Sequence, residues 1–301
     1  MPLSARYGRA FEFCVTKSIL SQLEELYPGK VKTTERAKGM QRQGREQFEN
    51  LNVELREQFT ESGRKIAGWL SENKLKEIGE TSRVELDRIP DIAGTMGDVT
   101  DIRAQFFTKD GVRYVNVSLK HRHEALKHPR LTRVPEWIGL AESGQGRKYI
   151  DAYERIWSTF FQRGKKLSPN AKRFRELRAI DHTFVERNLY VPLYTLVRNF
   201  LQENVKTSSE VRQMFDFLVG KFDFVKFVDH DGGIEIRDFS NILRPSRVEI
   251  EYEGTGYLHV NFDNGWRLSA RLHTATEWLK KSIKFDVQPM DLDSVVPAIY
   301  I

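Results

Sequence analysis

Two alternating stretches around a four-residue turn constrain this chain more than any other feature: "DIRAQFF" (residues 101–107) and "VRYVNVSLK" (residues 112–120) flank "TKDG". Pairing Phe107 with Val112 across the turn makes a hairpin and places Asp101 opposite Ser118. Side chains alternate between the two faces of a strand. Ile102, Ala104, Phe106, Val115, Val117 and Leu119 therefore share an apolar face, while Asp101, Ser118 and Lys120 converge on the other. A slip of one residue would send Asp101 to the apolar side, where a bare carboxylate is costly.

The rest of the chain supplies partners for that hairpin. In residues 8–27, Phe11, Cys14, Val15, Ile19, Leu20 and Leu23 recur at helical spacing, and Pro28-Gly29 ends the pattern. Residues 33–75 are charged and free of proline, with an apolar stripe through Phe48, Leu51, Leu55 and Phe59, and read as amphipathic helices. "RVELDRI" reads as a strand, residues 146–220 as helices, and the chain from Phe222 onward as strands joined by Gly, Asn and Asp turns. The expected architecture is α+β, a mixed central sheet flanked by helices. It forms one domain over 1–301, with a helical segment at 1–80, the central strands and a basic cluster at 81–135, a second helical segment at 136–221 and a β-rich region at 222–301.

No apolar run approaches the roughly 20 residues that a membrane helix needs, and no signal peptide is evident, so a soluble, cytoplasmic protein is expected. The single Cys14 precludes an internal disulfide and a cysteine-rich zinc site, leaving carboxylates or histidines for any metal. A net charge of +6 favours polyanionic partners.

An acid at a strand start and a lysine on the next strand suit a metal-dependent phosphodiesterase. The carboxylate holds Mg²⁺ through hard oxygen donors, and the lysine offsets charge on the phosphoryl transition state. The same combination also occurs on ordinary solvated sheets. Asp98 offers a second acid, although its odd spacing from Asp101 would point it away on a continuing strand. Straight after the lysine comes "HRHEALKHPR", with His121, Arg122, His123, Lys127, His128 and Arg130. Such a cluster is either a solvated basic turn, limited to one or two helical turns by Pro129, or the rim of a phosphate site. His123 could serve as general base; two of the histidines with Asp101 form a third option, a transition-metal site. In "RLSARLH", Arg267, Arg271 and His273 fall on one face and Leu268 and Leu272 on the other, with Lys281 and Lys284 following. Donors in that arrangement either read guanine O6 and N7 in a DNA groove or are ordinary solvated strand charges. Trp137, Trp157, Trp266 and Trp278 are assigned to packing.

Several blocks carry a resemblance: "GRAFEF", "GDVTDI", "VSLKHRHEALKHPRL", "YVPL", "LVGKFDFVKF" and "GGIEI…NGWRLSARLHTA…SIKFDV". They resemble the HaeIII family of type II restriction endonucleases over most of the chain. The resemblance implies a restriction-endonuclease-like fold and a Mg²⁺-dependent enzyme of the PD-(D/E)XK type. Such an enzyme cuts double-stranded DNA at a short GC-rich palindrome (GGCC for the namesake), leaves 5′-phosphate ends and is paired in the cell with a DNA methyltransferase. Asp101 takes the metal-binding acid, Asp98 its neighbour and Lys120 the catalytic lysine. Ser118 stands where the general nuclease pattern has an acid. The missing metal ligand is then assigned to Glu12 on the first helix, ahead of Glu124 and Glu85. A palindrome presents its contacts twice about a two-fold axis, so a homodimer on DNA is expected, with a monomer cutting the strands in turn as the alternative. A structure-specific repair nuclease and a non-catalytic DNA-binding module are the competing classes.

Overall fold

The structure is a computed structural model of the 301-residue chain. It describes all residues except 1–2, 91–92, 95–96, 123–125, 231–232, 253 and 255, and at 3–5 the backbone alone. The chain opens with helix α1 (Leu3–Leu26), the short strand β1 (Val31–Thr33), helices α2 (Glu35–Glu49) and α3 (Val53–Leu70), and strands β2 (Thr81–Arg88), β3 (Ile102–Thr108) and β4 (Gly111–His121). A 3₁₀ stretch (Leu131–Ile138) and helices α4 (Gly144–Leu167), α5 (Phe174–Ile180), α6 (Val191–Asn204) and α7 (Ser208–Leu218) follow. Strands β5 (Val225–His230), β6 (Gly233–Asp238), β7 (Val248–Glu251), β8 (Tyr257–Phe262), β9 (Arg267–Thr274) and β10 (Ile283–Met290) come next. The short helix α8 (Leu292–Val295) and β11 (Ile299–Tyr300) end the chain.

These elements form two compact units, neither continuous in sequence: residues 1–124, 222–242 and 296–301, and residues 125–221 and 243–295. The four successive segments read from the sequence do not coincide with these units. In particular, residues 222–301 are shared between them, β5, β6 and β11 going to the first and β7 to β10 to the second.

The first unit holds a seven-stranded mixed sheet in the order β1-β2-β3-β4-β5-β6-β11. The β1–β2 and β4–β5 pairs are parallel and the others antiparallel. The hairpin has the expected register, Phe107 opposite Val112 and Ile102 opposite Val117. Val84, Leu86, Ile102, Ala104, Phe106, Val117 and Leu119 are buried in one core with Phe11, Val15 and Ile19 of α1 and Phe59 and Ile66 of α3. Two glycines let the helices approach. A Cβ on Gly63 would lie 2.8 Å from Ser18 Oγ and 3.1 Å from the Cys14 carbonyl oxygen, and one on Gly44 would lie 2.8 Å from Phe13 Cβ. The charged stretch after Thr33 forms two helices, as its pattern reads. Thr34 caps the first by accepting from the Ala37 amide, and Asn52 caps the second through the Leu55 amide.

In the second unit, a four-stranded antiparallel sheet runs β10-β9-β8-β7. One of its faces is apolar and buried: Leu268, Ala270 and Leu272 of β9, Phe285 and Val287 of β10, Leu258 and Val260 of β8. Trp137 and Trp266 are buried in this unit, as assigned from the sequence, whereas Trp278 is 40% exposed. The later part of the basic cluster, residues 126–130, is extended rather than helical. Lys127 and Arg130 bridge to Val287 and Lys284, so this segment runs as an added edge along β10.

Candidate active site

The site is built where the β3 ladder runs out while β4 continues. Asp101, just before β3, donates its amide to the Val117 carbonyl (2.8 Å) and accepts the Ile89 amide at its own carbonyl (3.0 Å). The next amide on that edge of β4, Leu119, has no strand partner on that side, and the Asp101 carboxylate takes its place: Oδ2 accepts the Leu119 N–H at 2.6 Å. The same oxygen accepts the Ser118 hydroxyl at 3.3 Å and lies 3.7 Å from Lys120 Nζ. Asp101, Ser118 and Lys120 are thus brought together, Ser118 buried and the two charged groups partly open to solvent.

A second carboxylate reaches this point from α1. Arg88, 3% exposed at the end of β2, bonds Glu12 Oε2, donates through Nε to the Asp101 carbonyl (3.2 Å) and lies 3.5 Å from Thr16 Oγ1. Burial pushes the Glu12 carboxyl above the ordinary range against the pull of Arg88, and the charge of Asp101 raises it further. Lys120 acts on it in the opposite sense. Glu12, Arg88, Asp101 and Lys120 are therefore one electrostatic group. Mg²⁺ is held through one or two carboxylates with water completing its shell, and Asp101 with Glu12 fits that donor set. Among the described residues no group of three or more His, Cys, Asp or Glu stands at metal-ligating spacing.

Arg88 was not singled out from the sequence, although its signal was there. In "RVELDRI", Val84, Leu86 and Arg88 share one parity, so an arginine sits where the alternation expects a core residue.

Asp98 is directed elsewhere: it receives the Arg103 guanidinium at 2.8 Å and the Thr100 amide at 3.1 Å, and Arg103 is held in turn by Asn116 at 2.7 Å. Glu85 faces Arg83 at 3.5 Å. His123 and Glu124 lie outside the described residues. His121 is turned toward the helices, its Nδ1 2.9 Å from Asp229 Oδ2, with the rings of Tyr7, Phe11 and Phe59 around it. Asp229, 1% exposed, also receives Ser62 Oγ at 2.7 Å and Gln58 Nε2 at 3.2 Å. Nothing local in the sequence marks Asp229, because its partners on α3 lie more than 160 residues away. Arg122 is exposed and adopts a left-handed backbone (φ 53°).

The remaining basic candidates belong to the second unit. Lys127 points its ammonium inward, onto the Phe217 carbonyl and 3.6 Å from the centroid of the Phe217 ring, and burial pushes it down to about 7. Arg130 is exposed and touches Ser282 Oγ at 3.3 Å. Arg267, Arg271 and His273 share the polar face of β9, as their alternation predicts, and Lys284 stands opposite His273 on β10. Asp286, opposite Arg271, sits in the middle of this face: Arg271 approaches at 3.8 Å, His128 at 3.5 Å and Gln288 at 3.2 Å. Burial lowers the His273 imidazole, and Asp286 partly offsets that. Lys281 pairs with Glu154 at 2.5 Å.

The comparison with known proteins gives the class first. A family model described as HaeIII restriction endonuclease matches residues 8–242, which makes the protein a type II restriction endonuclease, a nuclease. The chain belongs to the HaeIII restriction endonuclease family. It is 24% identical over 237 residues to the type II restriction enzyme HaeIII of Haemophilus aegyptius, an alignment covering 68% of this chain and 70% of that protein. The matched residues include Glu12, Arg88, Asp101, Ser118 and Lys120, and end before β7. Double-stranded DNA is the partner that this family implies. Among the described residues no helix is long and apolar enough to cross a membrane.

Proposed function

We propose that the protein is a Mg²⁺-dependent endonuclease of the PD-(D/E)XK type that hydrolyses double-stranded DNA within a short GC-rich palindrome, GGCC being the first sequence to try. The reading rests chiefly on one observation, the placement of Asp101 Oδ2 within 3.7 Å of Lys120 Nζ with Glu12 brought in by Arg88. Asp101 and Glu12 are the residues that would hold the ion. When bound, Mg²⁺ polarises the phosphoryl oxygens and makes water more acidic. Lys120 orients the attacking water and offsets charge growing on the phosphoryl oxygens as phosphorus is attacked and the 3′-oxygen leaves, which yields 5′-phosphate ends. Arg88 fixes the Glu12 carboxylate and the Asp101 backbone, keeping two like charges close together. Ser118 supplies a hydroxyl to Asp101 where an acid would add a third negative charge.

Sequence reading falls to the polar face of β9 and β10, where Arg267, Arg271, His273 and Lys284 offer donors to guanine. Arg122, His128 and Arg130, exposed in the segment after β4, contact phosphates, which position the duplex without reading it. The two halves of a palindrome call for a homodimer on DNA, and a host carrying such an enzyme needs a methyltransferase acting on the same sequence. The test is to digest a DNA of known sequence in Mg²⁺ and map the ends. Discrete fragments with 5′-phosphates at one palindrome are expected; a smear of unrelated ends would favour a structure-specific nuclease, and intact DNA a non-catalytic binding module.

A further inference from the structure

Asp286 is an odd residue to find on a face offered to a polyanion. It lies at the centre of the polar side of β10, its side chain 13% exposed, in register with Arg271 of β9. Its Oδ2 receives Gln288 Nε2 at 3.2 Å and has the Arg271 guanidinium at 3.8 Å. Its Oδ1 is buried and, among the described residues, accepts no hydrogen bond, with His128 Nδ1 at 3.5 Å. A buried carboxylate oxygen without a donor is costly. Arg271, His128, His273 and Lys284 surround Asp286, so basic side chains outnumber the acid on this face.

We infer that Asp286 is a specificity-determining residue, its carboxylate, beside the Arg271 guanidinium on the polar face, accepting a hydrogen bond from the exocyclic N4 amine of a cytosine in the recognition sequence. The inference rests on the site-specific reading above. Among major-groove edges, a G·C pair presents two acceptors, guanine N7 and O6, followed by one donor, cytosine N4. A guanidinium fork beside a carboxylate matches that pattern, Arg271 meeting the acceptors and Asp286 the donor. An A·T pair places an acceptor on either side of its amine, which Arg271 and Asp286 together do not fit. A carboxylate also rejects a misplaced guanine or thymine, because two acceptors would face each other in a desolvated contact. The arginines alone would favour guanine; Asp286 would settle which strand carries it at that pair.

The experiment is to cut a randomised duplex library in Mg²⁺ with the wild-type chain, Asp286→Ala and Asp286→Asn, sequence the ends, and record a melting curve for each protein. The wild type should require a C·G pair at a defined position of each half-site. Asp286→Ala should lose discrimination at that position alone, by roughly tenfold or more, with the other positions still selective. Asp286→Asn, which can also donate, should admit bases with an acceptor there. If the preference in both variants matched the wild type at every position, whatever happened to rate or melting temperature, Asp286 would be a structural counter-ion and the inference overturned. A wild-type enzyme cutting without any base preference would overturn the site-specific reading and this inference together.

Discussion

Asp101 and Lys120 meet because a ladder ends between them: the Asp101 carboxylate takes the place of a missing strand partner at the Leu119 amide, and that same oxygen faces Lys120 Nζ at 3.7 Å. Backbone geometry thus fixes the Asp101 carboxylate that the Lys120 ammonium approaches. Lys120→Ala should lower the cleavage rate by about a hundredfold or more, as expected for loss of a preorganised charge stabiliser. Ser118→Ala should be far milder, since its hydroxyl contact with Asp101 is long at 3.3 Å. Single-turnover rates on one DNA compare the two; equal losses would shift the chemistry onto Ser118.

Arg88 holds Glu12, Thr16 and the Asp101 carbonyl from a buried position. Arg88→Ala leaves a partly buried carboxylate without its counter-ion and should destabilise the fold by about 3 kcal/mol, read as a lower midpoint in urea. Arg88→Lys should recover part of that loss, because a point charge can reach Glu12 but cannot serve all three partners. An unchanged midpoint in the alanine variant would mean that Arg88 does not anchor this corner.

Lys127 supplies a pH signature. Folding lowers its ammonium from 10.5 to about 7, through burial and then the nearby charge of Arg133, while the Phe217 carbonyl and ring favour the charged form. Between those values the unfolded chain binds one proton more than the folded chain, so this residue makes stability rise as pH climbs from about 7 toward 10.5, and it adds no slope below 7. Urea midpoints across that range should climb more steeply for the wild type than for Lys127→Met. Parallel curves would contradict the burial.

The same inward turn separates Lys127 from Arg130 in DNA binding. Arg130→Ala should weaken binding to cognate and random duplexes alike and reduce the salt slope by about one. Lys127→Met should leave the slope unchanged. Fluorescence titrations at several salt concentrations distinguish the two, and a lost contact on Lys127→Met would place its ammonium at a phosphate after all.

Much of the candidate site's geometry was legible in the residues because it is built from local rules. A short turn and strict alternation leave the hairpin a single register that buries Ile102, Ala104 and Phe106 together, and that register carries Asp101 to Ser118. The division into two units was not legible, since alternation from Phe222 onward reads the same whether strands join one sheet or two. Strand β1 was missed because three residues carry too little pattern. The extended course of Lys127 to Arg130 depends on pairing with β10 across more than 150 residues, which no window reveals. Asp286 was passed over for a related reason: in "SIKFDVQP" it is one polar residue on an alternating strand, and only the register with Arg271 shows its place.

The most direct measurement is made on Asp101→Ala, following cleavage and DNA binding side by side in Mg²⁺. The account predicts that cutting disappears while affinity for the duplex stays close to that of the wild type, because the substitution removes a metal-holding carboxylate and leaves the surfaces that contact DNA intact. Full cleavage activity in that variant would contradict the account.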